Sequence, residues 1–141
     1  MEYISNNVQE TIAFAKEFAT NLKGGECLLL QGDLGAGKTH FVKGLALGLG
    51  IDDNVTSPTF ALHNLFQGEA LELNHFDFYR IDDFNEVKML GLDEYFSQPN
   101  GVSAIEWSNN VKPLLPRKTI TITISNLDEN VRSIKYELPN Y

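Results

Sequence analysis

Four groups of residues in this chain have types and spacings that could do chemistry. The first, Gly32-Asp33-Leu34-Gly35-Ala36-Gly37-Lys38-Thr39, fits the spacing G-x-x-x-x-G-K-[ST] without a mismatch. Such a loop cradles phosphate. Gly32, Gly35 and Gly37 let the backbone curl so that successive N–H groups face phosphate oxygens, where a Cβ would crowd the ligand. Lys38 is then placed to reach β- and γ-phosphates, and the Thr39 hydroxyl suits Mg²⁺. In the second group, Ser57-Pro58-Thr59, the proline holds Ser57 extended. This either presents two hydroxyls from a stiff loop or marks a plain strand entry. The third is His75, Asp77 and Tyr79, which share one face of a strand with Leu71 and Leu73 by period two. That polar end is either a reaction site or a hydrogen-bonded surface end. The fourth is Glu106, closing the short apolar run from Val102. Hydrolases with this glycine loop need a second carboxylate at such a strand end, to hold Mg²⁺ directly or through water.

The elements that must position these groups can be read from periodicity. Asn7 and Glu10 resemble a capping box, and Val8, Ile12, Ala15, Ala19 and Leu22 recur at helical spacing, predicting a helix over 8–22. Met1 to Ser5 is a short strand or an extended arm. Gly24-Gly25 turns the chain into a strand over 26–31, which runs into the glycine loop. A helix over 38–49 follows, closed by Gly50, so its N-terminal N–H groups and positive dipole end face the loop. Gly44 and Gly48 cost that helix about 1 kcal/mol each relative to alanine, which suggests close packing against the sheet. Segments 60–66 and 70–79 form an antiparallel hairpin around Gln67-Gly68-Glu69. Asp83 caps a helix over 84–91, and 92–96 form a second short one. After the strand over 102–107, residues 108–115 read as helix and then a proline-rich turn. Strict alternation over 119–124 and 132–138 makes a second, half-exposed hairpin.

Composition narrows the class further. The chain has 141 residues with 43% apolar and 21% charged, which predicts one ordinary globular domain with no room for a separate substrate domain. No apolar run approaches the roughly 20 residues of a bilayer span, and Met1 to Ser5 lacks a signal-peptide pattern, so a cytoplasmic protein is expected. Cys27 is the only cysteine, which excludes an internal disulfide and a multi-cysteine metal site. Within an apolar strand it reads as a buried structural thiol. Net charge is −8, with eight lysines and three arginines. Counterion release therefore has little to work with, and tight binding of free nucleic acid is not expected. The acidic remainder is compatible with a basic protein partner.

Taken in order, the glycine loop, Ser57-Pro58-Thr59-Phe60, His75-Phe76-Asp77-Phe78-Tyr79-Arg80 and Glu106-Trp107 resemble the TsaE family (older name YjeE). The resemblance covers the chain from about Gly25 onward. It implies a single P-loop α/β domain whose mixed sheet contains antiparallel hairpins and is flanked by helices. It also implies an ATPase required, with TsaB, TsaC and TsaD, for threonylcarbamoyl modification of adenosine 37 in tRNA. ATP and Mg²⁺ would be the cofactors. Carried over residue by residue, the run Asp33, Leu34, Gly35, Ala36, Gly37, Lys38, Thr39 and His40 would bind nucleotide, with the His40 side chain outside the phosphate cradle. Thr59 would sense the γ-phosphate. Asp77 would position water or stand behind Mg²⁺, Glu106 would be the second Mg²⁺ ligand beside Thr39, and Trp107 would lie by the nucleotide. The chain has no Asn-Lys-x-Asp element of guanine-specific proteins.

Two other readings use the same loop: a small-molecule phosphotransferase and a nucleotide-binding regulator with negligible turnover. The former needs phosphate-clamping arginines, and this chain has only Arg80, Arg117 and Arg132. Arg80 alone adjoins a proposed catalytic motif. On a continuing strand it would point away from Asp77, so a charge supplied by the TsaB–TsaD pair, and slow turnover without it, are expected. The charge balance itself is testable. The isolated chain should leave tRNA unshifted in a gel at moderate salt, and sub-micromolar binding would contradict this reading of the charge.

Overall fold

The structure, a computed structural model, describes residues 1–33, 35–51 and 62–137. Its elements in chain order are β1 (Glu2–Ser5), α1 (Val8–Ala19), β2 (Cys27–Gln31), α2 (Lys38–Gly48), β3 (His63–Gln67), β4 (Glu72–Asp77), α3 (Phe84–Met89), a 3₁₀ turn (Leu92–Ser97), β5 (Gly101–Glu106), a second 3₁₀ turn (Asn109–Leu114), β6 (Thr119–Asn126) and β7 (Arg132–Glu137). Leu34, Ser57, Pro58, Thr59, Phe60 and Leu138 lie outside the described residues.

An apolar run such as Cys27-Leu28-Leu29-Leu30 fits a strand covered on both faces. β2 is that strand, paired in parallel with β5 on one side and β6 on the other. The full order is β1-β7-β6-β2-β5-β4-β3, with β4 parallel to β5 and the pairs β3/β4, β6/β7 and β1/β7 antiparallel. This is the expected mixed sheet, with both hairpins at its flanks. Met1 to Ser5 resolves as an edge strand. The face bearing Leu28, Leu30, Leu73, Val102, Ala104, Ile120, Ile122 and Ile124 packs against α1 and α2. The opposite face, with Cys27, Leu29, Phe76 and Ile105, is covered by α3 and the 3₁₀ turns through Val87, Phe96 and Val111. Cys27 is buried, and its burial pushes the thiol up to about 12, which makes it inert.

Element ends differ from the periodicity in ways with local causes. α1 stops at Ala19, not Leu22: Thr20 Oγ1 donates to the Glu17 carbonyl, and the chain leaves through short turns at Asn21 and Leu22. Asn7 does cap α1, accepting from Glu10 N at 2.8 Å, but the Glu10 carboxylate reaches the N–H of Asn6 and not that of Asn7. Residues 109–114 form a tight 3₁₀ turn with Pro113 inside it.

The two helix glycines pack against α1, not the sheet. A Cβ at Gly44 would lie 2.4 Å from the Ile12 carbonyl and 2.5 Å from Ala15 Cβ, and one at Gly48 would lie 2.4 Å from the Lys16 carbonyl. Ala15 and Ala19 face these glycines, so the two backbones close on a seam of small residues. Gly44→Ala should therefore lower stability by about 1–3 kcal/mol, because overpacking against backbone outweighs the ~1 kcal/mol gain in helix propensity. Urea unfolding measures this, and a raised midpoint would show slack in the seam.

Candidate functional site

The site forms where the parallel strands end, the usual ligand position in an open α/β sheet. The loop after β2 turns directly into α2. Gly35 (φ 81°) and Gly37 (φ 105°) have left-handed backbone, and a Cβ on either would meet nothing within 4 Å. Their open faces are the concavity a phosphate requires. Gly32 is constrained differently: its Cβ would lie 2.4 Å from the Ile124 carbonyl of β6. That glycine answers to sheet packing, not to a ligand. Ala36 is buried under the loop, whereas Asp33 is exposed.

Lys38, 6% exposed, donates from Nζ to the Gly32 carbonyl at 2.9 Å and sits 3.9 Å from the Trp107 ring centroid. Burial lowers its pKa, while Glu106, Asp77 and Asp33, in that order, pull it back up. Trp107 follows the last residue of β5 with φ 56°, a conformation rare for a bulky residue, and Tyr79 packs edge-on against its ring at 5.0 Å.

Asp77 and Glu106 are register partners at the ends of β4 and β5, so both carboxylates face the cleft beside Lys38. Glu106 is 3% exposed. Asp77 is raised above its usual range first by burial and then by the neighbouring Glu106 charge, opposed by the Tyr79 N–H, His75 and Lys38. His75 is fully buried, and its Nε2 lies 2.6 Å from Glu106 Oε2. The face of Leu71, Leu73, His75 and Asp77 thus holds, but β4 ends at Asp77 and Tyr79 is 68% exposed.

A cleft of about 450 Å³ runs from these groups along Gly35, Gly37, Thr39 and His40. His40 lines this cleft, and its buried Nδ1 has no partner. The cleft continues past Asn7, Val8 and Thr11 of the α1 entry to Asn130 and Arg132. Sequence reading missed these five residues, because only the packing of α1 and β7 beside the loop brings them there. Of the three arginines, Arg132 is the one that lines the cleft. Arg80 is exposed beyond the end of β4, whereas Arg132 Nε donates to the Ala36 carbonyl at 3.2 Å, with Nη1 on the carbonyls of Asp128, Glu129 and Val131. A second cleft, of about 380 Å³, lies along Gly32, Asp33 and Asn109 and shares Lys38 and Trp107 with the first. Leu34 and Thr59 lie outside the described residues.

The architecture and the loop define the chain's fold as that of a P-loop NTPase. Residues 5–134 match the family described as threonylcarbamoyl adenosine biosynthesis protein TsaE. The chain belongs to the TsaE family. It is 44% identical over 130 residues to the tRNA threonylcarbamoyladenosine biosynthesis protein TsaE of Bacillus subtilis, covering 92% of this chain and 80% of the relative. It is 40% identical to the Treponema pallidum protein of the same name, over 95% of this chain and 98% of the relative. The crystal structure of Bacillus subtilis YdiB superposes with a TM-score of 0.81 at 37% identity, covering 99% of this chain and 86% of that one.

The residues present fit a nucleotide carrying Mg²⁺. Open glycine faces, a helix N-terminus and Lys38 suit polyphosphate. Thr39 and Glu106 line one cleft, a donor pair suited to an ion that keeps waters and phosphate oxygens as its other ligands. Among the described residues no three His, Cys, Asp or Glu side chains form a cage of their own.

The raised Asp77 has a stability consequence. Because the folded state holds the Asp77 proton more tightly than the unfolded chain, ionising it costs stability as pH rises above its ordinary value of 3.8. Asp77→Asn removes that cost. Solvent screens part of it at this half-buried group, so Tm should rise by about 1–3 °C at pH 7 and the gain should vanish as pH falls toward 3.8. Thermal melts at both pH values measure this, and a lower Tm at pH 7 would contradict it.

Proposed function

We propose that this protein binds and hydrolyses Mg-ATP in support of threonylcarbamoyl modification of adenosine 37 in tRNA, acting with TsaB and TsaD. The observation that carries the nucleotide reading is the meeting of Lys38, Asp77 and Glu106 in one cleft beneath the open faces of Gly35 and Gly37. The pathway assignment rests on family membership and on the names of the relatives.

In this reading the loop N–H groups and the α2 N-terminus bind the polyphosphate. Lys38 exchanges the Gly32 carbonyl and the Trp107 ring for β- and γ-phosphate oxygens. Thr39 and Glu106 would hold Mg²⁺, which would neutralise phosphate charge. Asp77, whose raised pKa makes it a better proton acceptor than an exposed aspartate, orients the attacking water. Arg132, braced on the Ala36 carbonyl, contributes a second cation to the cleft. Asn7, Val8 and Thr11 border the far end, where a nucleoside has room. No described helix is long and apolar enough to cross a membrane, consistent with work on tRNA in the cytoplasm.

The decisive measurement is phosphate release from ATP with no acceptor present, alone and with TsaB–TsaD. Turnover should be slow alone and rise with the pair. Lys38→Ala should weaken ATP binding and abolish release. Glu106→Gln should still bind, seen as a change in Trp107 fluorescence, but lose turnover by about 100-fold or more. Arg132→Ala should lower the rate, while Arg80→Ala should not change the basal rate. Equal loss of binding in Lys38→Ala and Glu106→Gln would defeat the division of roles, and release only to an added small-molecule acceptor would identify a phosphotransferase.

A further inference from the structure

We propose that His75 is a positioning residue for the Glu106 carboxylate, fixing which oxygen is turned to the cleft and thereby setting the protein's affinity for the Mg²⁺ that accompanies nucleotide. The inference rests on the nucleotide reading above. His75 stands on β4 opposite Ala104, two register pairs below the Asp77–Glu106 pair and on the same face, so its ring rises along β5 to the carboxylate. It is completely buried, and Nε2 meets Glu106 Oε2 at 2.6 Å, a short hydrogen bond to a carboxylate.

The other ring nitrogen decides the tautomer. Nδ1 is buried and has no partner. A proton placed there would be an unpaired buried donor, whereas the tautomer with its proton on Nε2 leaves only an unused lone pair. Nε2 therefore donates to Glu106. This occupies Oε2 and leaves Oε1 as the oxygen available to the cleft that Glu106 lines. Nε2 of His75 is thus the ring nitrogen that meets the Glu106 carboxylate. Lys38, the nearest strong cation, is engaged with the Gly32 carbonyl and Trp107 instead. Histidine and not Asp77 thus holds the carboxylate, and it does so without contacting the cleft itself. Groups that orient a metal-binding carboxylate from behind typically change metal affinity by about 10- to 100-fold when removed.

The test compares His75→Gln with His75→Asn. A glutamine amide can place an N–H near the Nε2 position, while an asparagine amide falls short at the Nδ1 position. Asparagine also leaves the larger cavity, so the metal-free arm of the measurement is what reads generic disruption of packing. Nucleotide binding is followed by Trp107 fluorescence, once with ATP and excess chelator and once with ATP over a Mg²⁺ titration. In His75→Asn the Mg²⁺ half-saturation should rise about 10-fold or more, with metal-free ATP affinity unchanged within about twofold. His75→Gln should recover most of the loss. In a Glu106→Gln background, His75→Asn should change the Mg²⁺ dependence little, because the group it positions is gone. Metal-free and Mg²⁺-dependent binding weakened equally, Asn and Gln behaving alike, or effects that simply add to those of Glu106→Gln would each overturn the inference. Wild type that binds ATP no better with Mg²⁺ than without would also overturn the inference, whereas wild type that binds no ATP under either condition would overturn the nucleotide reading on which it rests.

Discussion

The register between β4 and β5 is the constraint on which the rest of the site depends. Parallel pairing sets Asp77 beside Glu106 and His75 beside Ala104, so two carboxylates emerge together at one strand end, next to a lysine delivered by the loop after β2. Burial disfavours the charged carboxylate at Asp77, and the Glu106 charge beside it adds to that, so Asp77 is shifted upward. The same carboxylates oppose the lowering of the Lys38 pKa that burial causes. A slip of one residue would turn His75 and Asp77 to the opposite face and leave Lys38 buried with far less compensation. The buried apolar residues of both strands, Leu73, Phe76, Val102 and Ile105, oppose such a slip.

Strain is placed at the same point. β5 ends at Glu106, and the chain reverses at once through Trp107 in left-handed conformation. Such a residue costs about 1–3 kcal/mol unless neighbours over-determine it. Here Tyr79 meets the ring edge-on and Lys38 lies over its face. The turn carries the indole from the sheet to a position bordering both clefts, so occupancy of either must alter its surroundings.

The far end of the cleft depends on helix packing. The small-residue seam of Ala15 and Ala19 against Gly44 and Gly48 draws α1 onto α2 more closely than larger residues would permit. Since α2 begins at Lys38, that contact also sets where the α1 entry, with Asn7 and Thr11, stands relative to the phosphate loop. Ser5 Oγ and Thr11 Oγ1 share a buried 2.7 Å hydrogen bond that ties β1 to this entry. A strongly acidic chain thereby concentrates its positive groups, Lys38, Arg132 and the α2 N-terminus, along one cleft.

Local chemistry made much of this legible beforehand. The glycine loop, the apolar β2, both hairpins and the acid closing β5 are written in short-range spacing, because cradle geometry, two-sided burial and period-two alternation leave few alternatives over a handful of residues. What tertiary structure alone decided are matters of distance along the chain. Arg132 reaches the Ala36 carbonyl from 96 residues away, Gly32 is held by the Ile124 carbonyl, Gly44 and Gly48 answer to α1 instead of the sheet, and His75 finds Glu106 across 31 residues. Each is set by sheet order or by which helix lies across the seam. Periodicity along one segment identifies the face a residue occupies, but not the element that will cover it.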